Sequence, residues 1–116
     1  MEGYNLEDRT AEFAVGIIEL SKKVIKDVIT GPIINQLVRS GTSVGANYTE
    51  ANGASSQKDF KNKIYICKKE VMETKYWLRI LANACPEMAD ECRRLWREAQ
   101  ELTLIFSKIA STLNKN

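Results

Sequence analysis

Apolar residues recur along this chain at steps of three and four, the spacing that lines one face of an α-helix. Phe13, Ile17, Leu20, Val24 and Val28 make the first series; Ile34, Leu37, Val38, Gly41, Val44, Gly45 and Tyr48 make the second. The third series is Phe60, Ile64, Cys67, Val71, Thr74, Leu78, Leu81 and Cys85. The fourth is Met88, Cys92, Leu95, Ala99, Leu102, Phe106, Ile109 and Leu113. Both of the latter alternate four and three, the seam of a helical bundle. Gly31-Pro32, the stretch Asn52-Gly-Ala-Ser-Ser56, and Pro86 separate the series, and Ser56 with Asp59 reads as a capping box. The pattern predicts helices at about 6–30, 33–51, 57–84 and 87–113, with a frayed tail at 114–116. Short connections make sequential helices antiparallel neighbours. The expected fold is all-α, an up-down-up-down four-helix bundle in one domain spanning 1–116.

The second helix is unusual in composition. From Arg39 to Glu50 nearly every residue is small or carries a hydroxyl, and Gly41 and Gly45 stand four apart. Glycine costs about 1 kcal/mol relative to alanine inside a helix. Close packing is the compensation that small side chains permit, so this segment predicts a tight helix contact.

Composition narrows the chemistry. A chain of 116 residues with 44% hydrophobic and 28% charged content is long enough for one continuous core. No apolar run resembles a signal peptide or a membrane span, which makes the cytoplasm the expected compartment, with no membrane partner. Histidine is absent, removing the commonest general base and metal ligand. Cys67, Cys85 and Cys92 lack CxxC spacing and read as small buried thiols. Glu50, Glu70 and Glu73 could converge inside a bundle, but the di-iron pattern needs Glu-x-x-His on two helices. Neither an enzyme, a metal nor a cofactor is expected.

Function must then sit on faces that the core leaves free. On the third helix Lys58, Lys61, Tyr65, Lys68, Met72, Lys75 and Arg79 share one flank at ~100° per residue. Such a basic stripe is either a solvated face or a track for nucleic-acid phosphates. The net charge of +2 is too small to decide between them, so any nucleic-acid argument rests on this local patch. The opposite flank holds Ile66, Glu70, Glu73, Trp77 and Ile80, apolar enough to suggest an oligomer contact or a widened seam. Arg39, Ser43, Asn47 and Glu50, with Ser40 beside them, form a second face on helix two. It is either mostly solvated or buried in a subunit contact, and if buried, Arg39 and Glu50 both need partners, Arg39 a carboxylate such as Glu70 or Glu73 on a neighbouring helix.

The segments Gln36–Glu50, Asp59-Phe60 and Lys69–Leu78 together resemble the four-helix-bundle proteins encoded in intervening sequences of bacterial 23S rRNA genes. The resemblance rests on Arg39-Ser-x-x-Ser43-x-x-x-Asn47-x-x-Glu50 and on Glu73-Thr-x-Tyr-Trp-Leu78, and it covers essentially the whole chain. That family is similar to the accessory variability protein of diversity-generating retroelements, a pentameric basic bundle that works with a reverse transcriptase and RNA. The resemblance implies a non-enzymatic homopentamer whose partners are itself and RNA or a nucleic-acid enzyme. On this reading Lys58, Lys61, Tyr65, Lys68, Lys75 and Arg79 face nucleic acid. Arg39, Ser40, Ser43, Asn47, Glu50, Ile66, Glu70, Glu73, Trp77 and Ile80 belong to the family motifs and the oligomer contact. The alternative is a structural or protein-binding oligomer without nucleic-acid affinity.

Overall fold

The computed structural model describes residues 5–114, and the last two residues of the expected frayed tail lie outside them. Four helices follow one another: α1 (Leu6–Lys23), α2 (Thr30–Asn52), α3 (Gln57–Ala84) and α4 (Ala89–Leu113). A 3₁₀ turn at Pro86–Met88 precedes α4. Cross-helix bonds set the order and sense. Lys63 on α3 reaches back to Glu50 at the end of α2, while Lys75 of α3 bonds Gln100 of α4. Arg9 near the start of α1 pairs with Glu98 and Glu101, and Lys23 near its end pairs with Glu91. Neighbours are therefore antiparallel, closing an up-down-up-down bundle.

The predicted seams meet in its centre. Phe13, Ile17, Leu20, Leu37, Val44, Ile64, Cys67, Val71, Leu78, Leu81, Leu95, Leu102 and Phe106 are all buried. The three cysteines are buried too. Desolvation pushes the Cys67 thiol up to about 12 and that of Cys92 to about 11. The Ser56 hydroxyl accepts from the Asp59 N–H at 3.0 Å, which starts α3 as the capping pattern predicts.

One boundary differs from the sequence reading. α1 stops at Lys23 rather than running to about residue 30, and Val24 turns extended. The cause is Asp27. Its Oδ1 accepts from the N–H groups of Ile29 and Thr30, both at 2.8 Å. Thr30 Oγ1 accepts in turn from the Asp27 N–H at 2.9 Å. This reciprocal closure outcompetes the helix for backbone partners, helped by β-branched residues on either side. Those two backbone bonds also hold the Asp27 carboxyl below its ordinary range. α2 consequently begins at Thr30, with Gly31 and Pro32 inside its first turn, where proline's missing N–H is no loss. Val28, expected in the core, is 87% exposed, as is Ile25.

The small residues of α2 are used inside the chain. A Cβ added at Gly41 would meet Ile17 Cγ1 at 2.9 Å, and one added at Gly45 would meet Thr10 Oγ1 at 3.1 Å. α1 therefore lies directly on the glycine face of α2.

Candidate nucleic-acid interface

Helix α3 keeps its carboxylates to one flank. Its three carboxylates, Asp59, Glu70 and Glu73, all fall on the side toward α2. The stripe from Lys58 to Arg79 falls on the other side, toward α4. Two bonds show that orientation directly: Tyr65 Oη accepts from Asn114 Nδ2 at 2.7 Å, and Lys75 Nζ donates to Gln100 Oε1.

The members of the stripe differ in availability. Lys58 and Arg79 are exposed, and Lys61 and Lys68 are half-buried. None of the four has an ion-pair partner among the described residues. Tyr65 and Met72 are exposed between them. Lys75 is already engaged: besides its bond to Gln100, its ammonium lies 4.8 Å from the centroid of the Trp96 ring. It belongs to the wall of the α3–α4 groove rather than to a free row of cations.

That groove contains what the sequence reading missed. Toward its Pro86 end, a pocket of about 380 Å³ opens between the helices. Leu78, Ala82, Ala89 and Cys92 give it an apolar part, and Arg79, Asn83, Arg93 and Trp96 complete the lining. Trp96 follows Leu95 directly in the sequence, so an apolar seam alone hides it. An indole one position off the seam, three residues after Arg93, was the available signal.

The opposite face is held together within the chain. Arg39 Nη2 donates to Glu73 Oε2 at 2.5 Å, and Nη1 to Glu70 Oε1 at 3.2 Å. Glu73 also accepts from Trp77 Nε1 at 3.0 Å. These donors, Arg39 first and Trp77 next, hold the Glu73 carboxyl below its ordinary range, while Glu73 raises Arg39. Trp77 and Ile80 pack against the core and, like Ile66, are half-buried. Glu50 pairs with Lys63 at 2.6 Å. Ser43 donates to the Arg39 carbonyl, and Asn47 to that of Ser43, so both stay local to α2.

Ser40, expected beside this outer face, is instead fully buried and accepts from Thr74 Oγ1 at 2.9 Å. Glu70, also buried, gives its carboxylate to Arg39 and its backbone carbonyl to the Thr74 hydroxyl. Among the described residues no group of three histidine, cysteine, aspartate or glutamate side chains converges as a metal site, and no helix is long and apolar enough to cross a membrane.

Comparison with known proteins agrees with this architecture. The family of 23S rRNA-intervening sequence proteins matches residues 4–108, and the chain belongs to that family. A crystal structure at 1.70 Å of a protein of unknown function, from the S23 ribosomal protein family of Bacteroides thetaiotaomicron VPI-5482, superposes with a TM-score of 0.81. The two are 34% identical, over 91% of this chain and 98% of that one. No curated protein matches.

Proposed function

We propose that this member of the 23S rRNA-intervening sequence protein family is a non-catalytic, cytoplasmic bundle that binds RNA through its α3–α4 face. The observation that carries the reading is that the α4 side of α3 holds unpaired cations and no carboxylate. The carboxylates of α3 all lie on the α2 side, two of them paired with Arg39, while Lys58, Lys61, Lys68 and Arg79 stand without ion-pair partners among the described residues. Cations left unpaired along one helix flank can follow a phosphate backbone over several turns.

The chain acts in this proposal as a homo-oligomer, a pentamer by its resemblance to the retroelement accessory protein, and its partners are RNA or an enzyme of nucleic acid. Assembly would repeat the basic face around a ring, multiplying weak contacts by effective concentration. Ile66, Trp77 and Ile80 are half-buried in the single chain, so a second copy could cover what remains of them.

A protein-binding scaffold is the second reading, favoured by a different observation. Ile25, Val28 and Ile29 stand exposed together on the α1–α2 connection. Exposed apolar clusters of this kind mark protein contacts.

The deciding experiment is binding of nuclease-treated protein to structured RNA and to duplex DNA from ~50 to 200 mM salt, with the mass of the free protein measured by light scattering. RNA affinity that falls steeply with salt supports the RNA reading. Absence of binding even at the lowest salt favours the scaffold. A monomeric mass removes the ring.

A further inference from the structure

The pocket beside Trp96 combines three features that a nucleotide requires. Leu78 and Cys92 are apolar, Trp96 adds an indole, and two guanidinium groups, Arg79 and Arg93, come from the two facing helices. Lys75, bonded to Gln100, lies over the Trp96 ring and is not among the residues that line the pocket. Lys75 over the ring therefore braces the indole without filling the pocket.

The polar groups are available. Arg79 has no side-chain partner among the described residues. Among the described residues Arg93 forms an ion pair only with Asp90, at 3.2 Å, and that carboxylate is fully exposed to water and easily exchanged. Asn83 donates to the Arg79 carbonyl at 3.3 Å, which leaves its own side-chain oxygen to accept from a base N–H.

We propose that this pocket takes one unpaired nucleobase of single-stranded RNA. The base stacks on Trp96, while Arg79 and Arg93 hold the phosphates on either side of it. The strand continues over Lys75 and down the α3 stripe toward Lys58, 21 residues from Arg79, a run of about 32 Å at 1.5 Å per residue. Stacking is sequence-tolerant and needs an exposed base face, so the site selects single strands over duplexes. Charge argues for this occupant over a peptide side chain, because the cations continue in a row away from the aromatic. The inference rests on the RNA reading above and adds to it the place and the form of RNA bound.

The test is titration of the wild-type protein and of Trp96→Leu with a ten-nucleotide single-stranded RNA, with the same RNA annealed to its complement, and with poly-glutamate, at low salt. Tryptophan fluorescence and affinity are both read. Trp77, the other tryptophan of the chain, remains as the internal reference. The expected result is quenching by the single strand and not by the duplex, lost in Trp96→Leu. The variant should bind the single strand about five- to a hundredfold more weakly and the duplex unchanged. Arg93→Gln on the exposed rim should weaken single-strand binding in the same direction without touching the core.

Salt-sensitive RNA binding without quenching, unchanged in both variants, overturns the pocket and leaves the RNA reading standing. Poly-glutamate competing as well as the single strand overturns the nucleobase assignment. No RNA binding at all overturns both readings.

Discussion

Gly41 of α2 lies so close to Ile17 of α1 that a Cβ at position 41 would stand 2.9 Å from Ile17 Cγ1 and 3.1 Å from Cγ2. Both atoms sit beside the Ile17 backbone, on a β-branched side chain that is stiff at χ1 and completely buried. The neighbour has little room to yield. Helix composition and helix packing therefore conflict along α2, and packing prevails.

The first prediction follows from that conflict. Gly41→Ala gains about 1 kcal/mol in helix propensity but incurs an overpacking cost of about 1–3 kcal/mol, so a net loss of about 1 kcal/mol is expected. Gly45→Leu, against Thr10, should lose about 3 kcal/mol. Urea unfolding measures both. A higher midpoint for Gly41→Ala would show that Ile17 can move aside.

The buried pair Ser40–Thr74 supplies the second. Thr74→Val removes the donor to Ser40 Oγ and should cost about 1–2 kcal/mol. Ser40→Ala combined with Thr74→Val should cost less than the two single changes summed, by about 1 kcal/mol. Strict additivity would mean that the two hydroxyls are energetically independent.

The third concerns pH. The Arg39 and Trp77 bonds keep Glu73 ionised in the folded protein below its ordinary value of 4.5. At and below that value the unfolded chain binds the proton first, so stability falls with pH until the folded carboxyl is itself protonated. Urea midpoints of the wild type should drop more between about pH 5 and pH 3 than those of Glu73→Gln. Because Arg39 is half-exposed, the pair should be worth under about 1 kcal/mol at neutral pH. Parallel profiles for the two proteins would exclude Glu73 as a source of acid sensitivity.

The fourth concerns the thiols. With Cys67 pushed to about 12 and Cys92 to about 11, almost no thiolate exists in the folded protein at neutral pH. Burial blocks access as well. Thiol labelling should be roughly a hundredfold or more slower than in urea, with residual reactivity set by local opening. Rapid labelling of the native protein would show that this core opens easily.

The fifth separates free cations from paired ones. Lys61→Gln and Lys68→Gln should each flatten the salt dependence of single-stranded RNA binding by about 0.7 in the log–log slope. Lys63→Gln should leave the slope unchanged, because Lys63 is on the α2 side and bonded to Glu50. Equal effects of all three would mean that RNA follows a different face.

The residues that carry these expectations were legible to different degrees. Four helices, the α3 and α4 seams and the Ser56 cap follow from periodicity and capping chemistry, and Glu70 and Glu73 were the carboxylates that charge matching offered to Arg39, which meets them half-exposed within the chain. These are properties of a single helix or of matched charges, and a linear string contains them. The end of α1 was not visible in the same way. Val24 and Val28 continue the apolar period, yet Asp27 and Thr30 bond each other's backbone and divert the chain before it can form another turn.

Two matters belonged to the tertiary structure alone. The spacing of Gly41 and Gly45 announced a close approach, but only the packing showed that α1 of the same chain occupies it, through Ile17 and Thr10. Likewise, Trp96, Arg79 and Arg93 lie on two helices and share no sequence period. Their pocket exists because antiparallel packing of α3 on α4 brings positions 78–83 opposite positions 89–96. Periodicity dictates which face of each helix leaves water. Which side chains then meet depends on the register and closeness of the helices, and those are settled when the four apolar faces interlock in one core.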